Sequence, residues 1–165
     1  MRLKNPFRDM RTIRTLLEGA EAEANRAGES TPGAEHLLLA ALDLPDGTAR
    51  GAFESVGADP GTLRQAIEEQ HADALRAVGI EADAGAQRAV PVEPRGNGVY
   101  RSIGSAQSAF QAAGKLARQT RSQLVGAHVV LAITDMEYGT AIRAVRSLGI
   151  DIDALAAAAR EAAGS

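Results

Sequence analysis

Residues 36–63, HLLLAALDLPDGTARGAFESVGADPGTL, are the stretch that decides the fold, because they recur later in the chain. Residues 128–155 read HVVLAITDMEYGTAIRAVRSLGIDIDAL, and without gaps the two stretches are identical at 12 of 28 positions. Two pairs of glycines, Gly47 with Gly139 and Gly57 with Gly149, keep their register. Chance matches in an alanine-rich chain would not keep the glycines aligned, so the sequence predicts two copies of one unit.

Each copy predicts four helices. The second helix, about residues 33–43 in copy one, is apolar on nearly every side, which is typical of a helix in the centre of a core. Its counterpart in copy two holds Val129, Val130, Leu131 and Ile133. The first helix has apolar residues three and four positions apart, beginning with Ile13 and Leu16 in copy one and with Ala106 and Ala109 in copy two. Phe, Tyr and Trp make up only 3% of the chain, so alanine and leucine must fill the core.

Glycine and aspartate mark the ends of these helices. Gly57 and Gly149 occupy the place of a left-handed residue that ends the third helix of each copy. Asp59 is placed to cap the fourth helix of copy one, followed by Pro60, and Asp151 repeats the cap in copy two.

The predicted fold is therefore all-α, an eight-helix pseudo-twofold bundle made of two four-helix repeats in a single domain, residues 1–165. Repeat one is placed at 8–78 and repeat two at 102–162. Between them, a linker loop is predicted at 79–101, because residues 79–98 contain two prolines and four glycines and show no helical period.

Composition and charge argue against membrane, secreted and nucleic-acid-binding proteins. The net charge is -3, there is no cysteine, and no stretch approaches the ~18–20 apolar residues that span a bilayer. The first residues lack the apolar run of a secretory signal. We expect a cytoplasmic protein with no nucleic-acid partner, no membrane partner and no disulfide. The basic residues before the first helix, from Arg2 to Arg14, lack interleaved aromatic residues, which favours a solvated terminus over a nucleic-acid patch.

No pattern for catalysis is present. The chain has neither a Gly-x-x-x-x-Gly-Lys-[Ser/Thr] phosphate loop nor a Gly-x-Ser-x-Gly elbow. We therefore expect no enzyme activity, no catalytic residue and no cofactor. His36 and His128 occupy matching positions and are predicted to be buried and bonded to backbone near a helix start. No His-x-x-x-His or cysteine set accompanies them, so no metal site is predicted. His71 is predicted to be solvated, on the polar side of helix four.

The stretch Gly33-Ala-Glu-His-Leu-Leu-Leu-Ala-Ala-Leu42, followed by GTARGAFESVG at residues 47–57, resembles the signature of the Clp amino-terminal (Clp repeat) domain. Copy two is similar through residues 125–133 and 139–149. This domain stands at the front of ClpC- and ClpA-type AAA+ unfoldases and docks substrates and adaptors. The resemblance covers about residues 8 to 162 and implies a free-standing docking domain without ATPase modules.

The resemblance also implies ligand-binding residues. In ClpC-like relatives, the glutamate of Gly-Thr-Glu-His holds the guanidinium of a phosphorylated arginine, which points to Glu35 with the adjoining Ala34. Copy two has lost that glutamate, so one degenerate phosphoarginine site is the most that the sequence supports. The alternative is that Glu35 only stabilises the start of its helix.

A groove between the copies is the second implied site. In relatives, aromatic residues just before the first helix of each copy line a groove that binds peptides and natural-product antibiotics. The residues of this chain placed near it are Phe7, Tyr100, Arg101 and Lys115. The alternative is that these residues only cap the bundle.

The sequence thus predicts a non-catalytic protein-binding module that acts as adaptor, modulator or decoy in Clp-dependent proteolysis. The implied partners are a ClpC-type unfoldase, its substrates or adaptors, and peptide-like small molecules. Two alternatives stay open: a sequestration or immunity factor that binds peptide antibiotics aimed at the unfoldase, and a peptidase.

Overall fold

The structure, a computed structural model, describes the backbone of residues 6–77, 79 and 98–164 and the side chains of residues 7–77 and 105–164. These ranges hold eight α-helices and no strand, which confirms the predicted all-α class. Copy one contains α1 (Pro6–Arg26), α2 (Ala34–Leu42), α3 (Thr48–Ser55) and α4 (Leu63–Ala77), with a short 3-10 turn at Pro60–Thr62. Copy two contains α5 (Gly98–Gln119), α6 (Gly126–Thr134), α7 (Thr140–Ser147) and α8 (Ile152–Gly164).

Helices α2 and α6 form the centre, and they contact each other. Every residue of α2 is buried, as its all-round apolar pattern predicts. Helix α1 packs on α2, and α5 packs on both α6 and α2. The fourth helix of each copy lies on the third helix of the other, α4 on α7 and α8 on α3. Each copy therefore packs its fourth helix on the other copy. The two copies share one core, because residues of both belong to one apolar cluster.

The predicted helix ends are confirmed. Gly57 and Gly149 have φ angles of 73° and 72°, the left-handed conformation that a side chain disfavours. Asp59 Oδ1 accepts a hydrogen bond from the Gly61 N–H at 2.8 Å. Asp151 Oδ1 accepts from the N–H groups of Asp153 and Ala154 at 2.9 and 3.1 Å. Matching turns thus redirect the chain at matching places in the two copies.

The start of α6 is held by copy one. The Gly126 N–H donates to the Asp46 carboxylate at 3.2 Å, and the Ala127 N–H donates to Thr48 Oγ1 at 2.9 Å. In the other direction, the Ala34 N–H at the start of α2 donates to Ser105 Oγ on α5 at 3.0 Å. Each copy therefore satisfies N–H groups at the start of the other copy's central helix, Ala34 in α2 and both Gly126 and Ala127 in α6.

The linker prediction lies partly outside the described residues, which leave out 78 and 80–97. Helix α5 begins at Gly98 and so includes the last four residues of the predicted loop. The last proline of the chain is Pro94, and nothing after it prevents a helix from forming.

Gly126 allows a close approach between the copies. A Cβ atom there would lie 2.9 Å from both the Ala41 carbonyl oxygen and the Ala49 Cβ. We expect Gly126→Ala to lower the free energy of unfolding by about 1–3 kcal/mol, because fixed backbone would have to move. Urea unfolding followed by circular dichroism measures this.

Gly51→Ala is the matched control, since Gly51 is also helical and a Cβ there meets no atom within 4 Å. That variant should be neutral or stabilising by about 0.5–1 kcal/mol. Equal effects of the two substitutions would show that the approach at Gly126 is not tight.

Candidate functional site

The histidine at the start of each central helix caps it in the same way. His36 Nδ1 accepts from the Gly33 N–H at 2.9 Å, and His128 Nδ1 accepts from the Val125 N–H at 3.1 Å. Both rings are 1% exposed, which confirms the prediction of buried, backbone-bonded histidines. Because Nδ1 accepts, the proton of each neutral ring is assigned to Nε2.

The two Nε2–H groups differ in their partners. His128 Nε2 lies 3.2 Å from Ser122 Oγ, to which it can donate. His36 Nε2 is fully buried and has no hydrogen-bond partner among the described residues. An unmet buried donor costs about 1–3 kcal/mol, so this position calls for an explanation.

Glu35 lies beside His36 in the first turn of α2, with only 4% of its surface exposed. Its Oε1 is 3.3 Å from His71 Nε2 on α4. Burial raises the pKa of the Glu35 carboxyl, but hydrogen bonds from His71 and from the residue's own backbone N–H outweigh it. The pKa therefore lies below its usual value, and the carboxylate is charged at neutral pH.

His71 joins two carboxylates. Its Nδ1 lies 2.9 Å from Glu29 Oε1, in the connection between α1 and α2, and its Nε2 lies 3.3 Å from Glu35 Oε1. The hydrogen bonds to Glu29 and then Glu35 outweigh partial burial and raise the pKa of His71 to about 9. His71 was predicted to be solvated, and its side chain is 27% exposed, but both ring nitrogens also face carboxylates. A helix-face pattern does not reveal these contacts with residues 29 and 35.

A groove lies between α1 and α5, the first helices of the two copies, with a cavity of about 220 Å³. Ile13, Phe110 and Leu124 give it an apolar lining, and Gly114 and Ala117 keep it open. Its polar lining residues are Asp9, Gln111, Arg118 and Ser122. The Asp9 carboxylate also accepts from the Leu124 N–H at 3.1 Å, which ties α1 to the segment before α6.

The structure brings together only some of the residues that the resemblance assigned to the groove. Phe7 is 79% exposed on α1, and Lys115 is exposed on α5, so both lie on the helices that form the groove but outside its lining. Tyr100 and Arg101 belong to α5, and their side chains lie outside the described residues.

Ala34 and Glu35 are buried together at the start of α2. A guanidinium bound by Glu35 would have to displace His71, so this assignment stays a prediction. The sequence analysis did not assign Asp9, Phe110 or Arg118 to the groove. Helical spacing marks which residues share a face, but it does not show where two packed helices leave a gap.

The pH dependence of stability tests the contact between His71 and its two carboxylates. The folded-state pKa of about 9 lies above the ordinary histidine pKa of 6.5, so protonated His71 stabilises the fold fully below pH 6.5. This contribution is lost as the pH rises from 6.5 through 9. We expect the stability of wild type to fall more over this range than that of His71→Gln, measured by urea unfolding in the presence of EDTA. Parallel curves for the two proteins would contradict the assignment.

No helix in the described ranges is both long enough and apolar enough to cross a membrane.

Comparisons with known proteins complete the description. Residues 11–90 match the profile of the Clp repeat (R) N-terminal domain. The chloroplastic chaperone proteins ClpC1 and ClpC2 of Oryza sativa subsp. japonica are each 38% identical to this chain over 64 residues, which is 39% of the chain and 7% of each relative. The crystal structure of the N-terminal domain of ClpD, the caseinolytic protease associated chaperone from Arabidopsis thaliana, superposes with a TM-score of 0.57 at 19% identity. That match covers 91% of this chain and 93% of the ClpD chain and shows the same fold. Residues 11–90 of this chain therefore match the Clp repeat N-terminal domain family, and the chain shares the fold of the ClpD N-terminal domain over most of its length.

Proposed function

We propose that the chain is a non-catalytic protein-binding module that holds an extended segment of a partner protein in the groove between α1 and α5. The partner is a substrate or adaptor of a ClpC-type unfoldase, or the unfoldase itself, and the chain acts as adaptor, modulator or decoy in Clp-dependent proteolysis. The observation that carries the proposal is the groove, which combines apolar and polar lining residues at the junction of the two copies.

The size of the groove favours a peptide side chain. Its volume of about 220 Å³ is below the range of about 300–1,000 Å³ typical of small-molecule pockets. One or two apolar side chains of an extended segment would occupy it. This supports a protein partner over a captured antibiotic.

The surface beside the groove also presents apolar side chains, and the groove itself carries opposite charges. Met10 and Leu17 on α1 are 66% and 45% exposed and stand three and four residues from Ile13, which lines the groove. Asp9 on α1 and Arg118 on α5 place opposite charges in the lining. A partner can therefore bury apolar side chains on α1 while its backbone bonds to polar groups of the groove.

Ser122 and His128 form the one arrangement in this region that resembles a nucleophile and its base. Their side chains are 3.2 Å apart, but His128 Nδ1 accepts from the Val125 N–H. The Nε2 atom therefore carries the proton and donates to Ser122, so it cannot remove the serine proton. Burial also lowers the pKa of His128. This geometry supports a structural role and argues against a peptidase.

Gly114→Leu tests the groove directly. Gly114 lines the groove, and a Cβ there meets only the end of the Arg118 side chain, at 3.7 Å, so a leucine would fill the cavity and not the core. We expect fluorescein-labelled β-casein, an unstructured protein, to bind wild type and to bind Gly114→Leu at least about tenfold more weakly, a loss of about 1.4 kcal/mol. Fluorescence anisotropy measures both affinities.

Gly51→Leu is the control, because Gly51 is a partly buried helical glycine outside the groove. It should bind casein as wild type does. Undiminished binding by Gly114→Leu, with circular dichroism showing that it is folded, would exclude the groove as the binding site. Hydrolysis of casein by wild type, absent from a Ser122→Ala variant, would contradict the non-catalytic role.

A further inference from the structure

We propose that Glu29, Glu35 and His71 form a binding site for one divalent transition-metal ion, with Zn²⁺ the best match. The site lies apart from the groove and does not depend on the function proposed for it. One donor atom from each of the three residues lies within 4.8 Å of the other two. The residues come from the α1–α2 connection, from α2 and from α4, so the fold brings them together.

The spacing of the donors suits a tetrahedral ion. Ligand atoms about 2.0–2.1 Å from Zn²⁺ stand roughly 3.3 Å from each other. The Glu35 Oε1 to His71 Nε2 distance is 3.3 Å and matches this spacing. Glu29 Oε1 lies 2.9 Å from the other ring nitrogen, Nδ1, which cannot bind the same ion. An ion bound to His71 Nε2 and Glu35 would take the place of a proton, and Glu29 would reach it by a change of side-chain rotamer.

One of the three proposed ligands is buried, and the other two are partly open to solvent. The Glu35 side chain is 5% exposed, whereas those of His71 and Glu29 are 27% and 31% exposed. Glu35 is anchored at the start of α2 by its own backbone N–H. An ion can therefore arrive from solvent past Glu29 and bind to a preorganised carboxylate.

His36 supplies an independent observation. A cavity of about 40 Å³ is lined by both His36 and His71, and the buried Nε2–H of His36 has no partner among the described residues. At about 10–15 Å³ for each water, the cavity has room for roughly three. An ion with three protein ligands keeps a fourth position for water, and a water in the cavity that His36 shares with His71 would be placed to accept from the Nε2–H. The matching atom in copy two is already bonded to Ser122.

The surrounding charges do not oppose a cation. Arg64 and Arg26 line the same cavity, but both are paired with Glu23, at 2.9 and 3.3 Å. Copy two has Ala127 and Ala163 at the places of Glu35 and His71, so only copy one can hold an ion in this way.

The donor set selects the ion. A mixture of imidazole and carboxylate ligands with an open position suits Zn²⁺ better than Ca²⁺ or Mg²⁺, which prefer sets made only of oxygen. We therefore expect discrimination against Mg²⁺ in direct competition.

The test is calorimetric titration of the full chain with ZnCl₂ at neutral pH. We expect one ion per chain, with affinity at least about tenfold weaker in Glu29→Gln and in His71→Gln. Glu69→Gln on α4 is the control, because Glu69 is exposed and outside the cluster, and it should bind as wild type does. Glu29 is partly exposed in a connecting segment, so its substitution keeps the fold, which circular dichroism verifies.

Co²⁺ binding gives a second readout. The visible absorption of bound Co²⁺ should change in His71→Gln, since a nitrogen ligand is lost. The proposal is overturned if wild type takes up no Zn²⁺, or if Glu29→Gln and His71→Gln both bind with the affinity of Glu69→Gln.

Discussion

The mutual capping of the two central helices is the constraint on which the rest of the structure depends. The start of α6 has no acidic side chain of its own and takes Asp46 and Thr48 from copy one. The start of α2 takes Ser105 from copy two. Because buried N–H groups must be satisfied, neither central helix is complete without the other copy. The exchange of outer helices, α4 on α7 and α8 on α3, follows from the same close pairing.

The two copies differ in the side chains at the starts of their central helices. In copy one, Glu35 faces His71, and the His36 Nε2–H has no partner in the part of the chain that the structure describes. Copy two replaces the glutamate with Ala127 and satisfies His128 internally through Ser122. Where copy two lacks the glutamate, the N–H groups at the start of α6 still need an acceptor. The Asp46 carboxylate supplies it.

The sequence predicted most of the fold and little of the site. The repeat, the apolar central helices, Gly57 and Asp59 are local patterns, and each appeared where expected. The cluster around His71 depends on contacts across 36 and 42 residues, which no local period encodes. The groove was expected from the resemblance, but its lining by Asp9, Phe110 and Arg118 follows from how α1 and α5 diverge. Such gaps arise from tertiary packing, which helical spacing leaves undetermined.

Native-state hydrogen exchange on wild type and on an Asp46→Ala variant tests the interdependence of the copies most directly. If each copy completes the other, the core amides of α2 and α6 exchange with one common free energy of opening. Removing the Asp46 carboxylate then lowers that value in both helices together, by about 1 kcal/mol. Lowered protection confined to α6, with α2 unchanged, would contradict the account and show two independent halves.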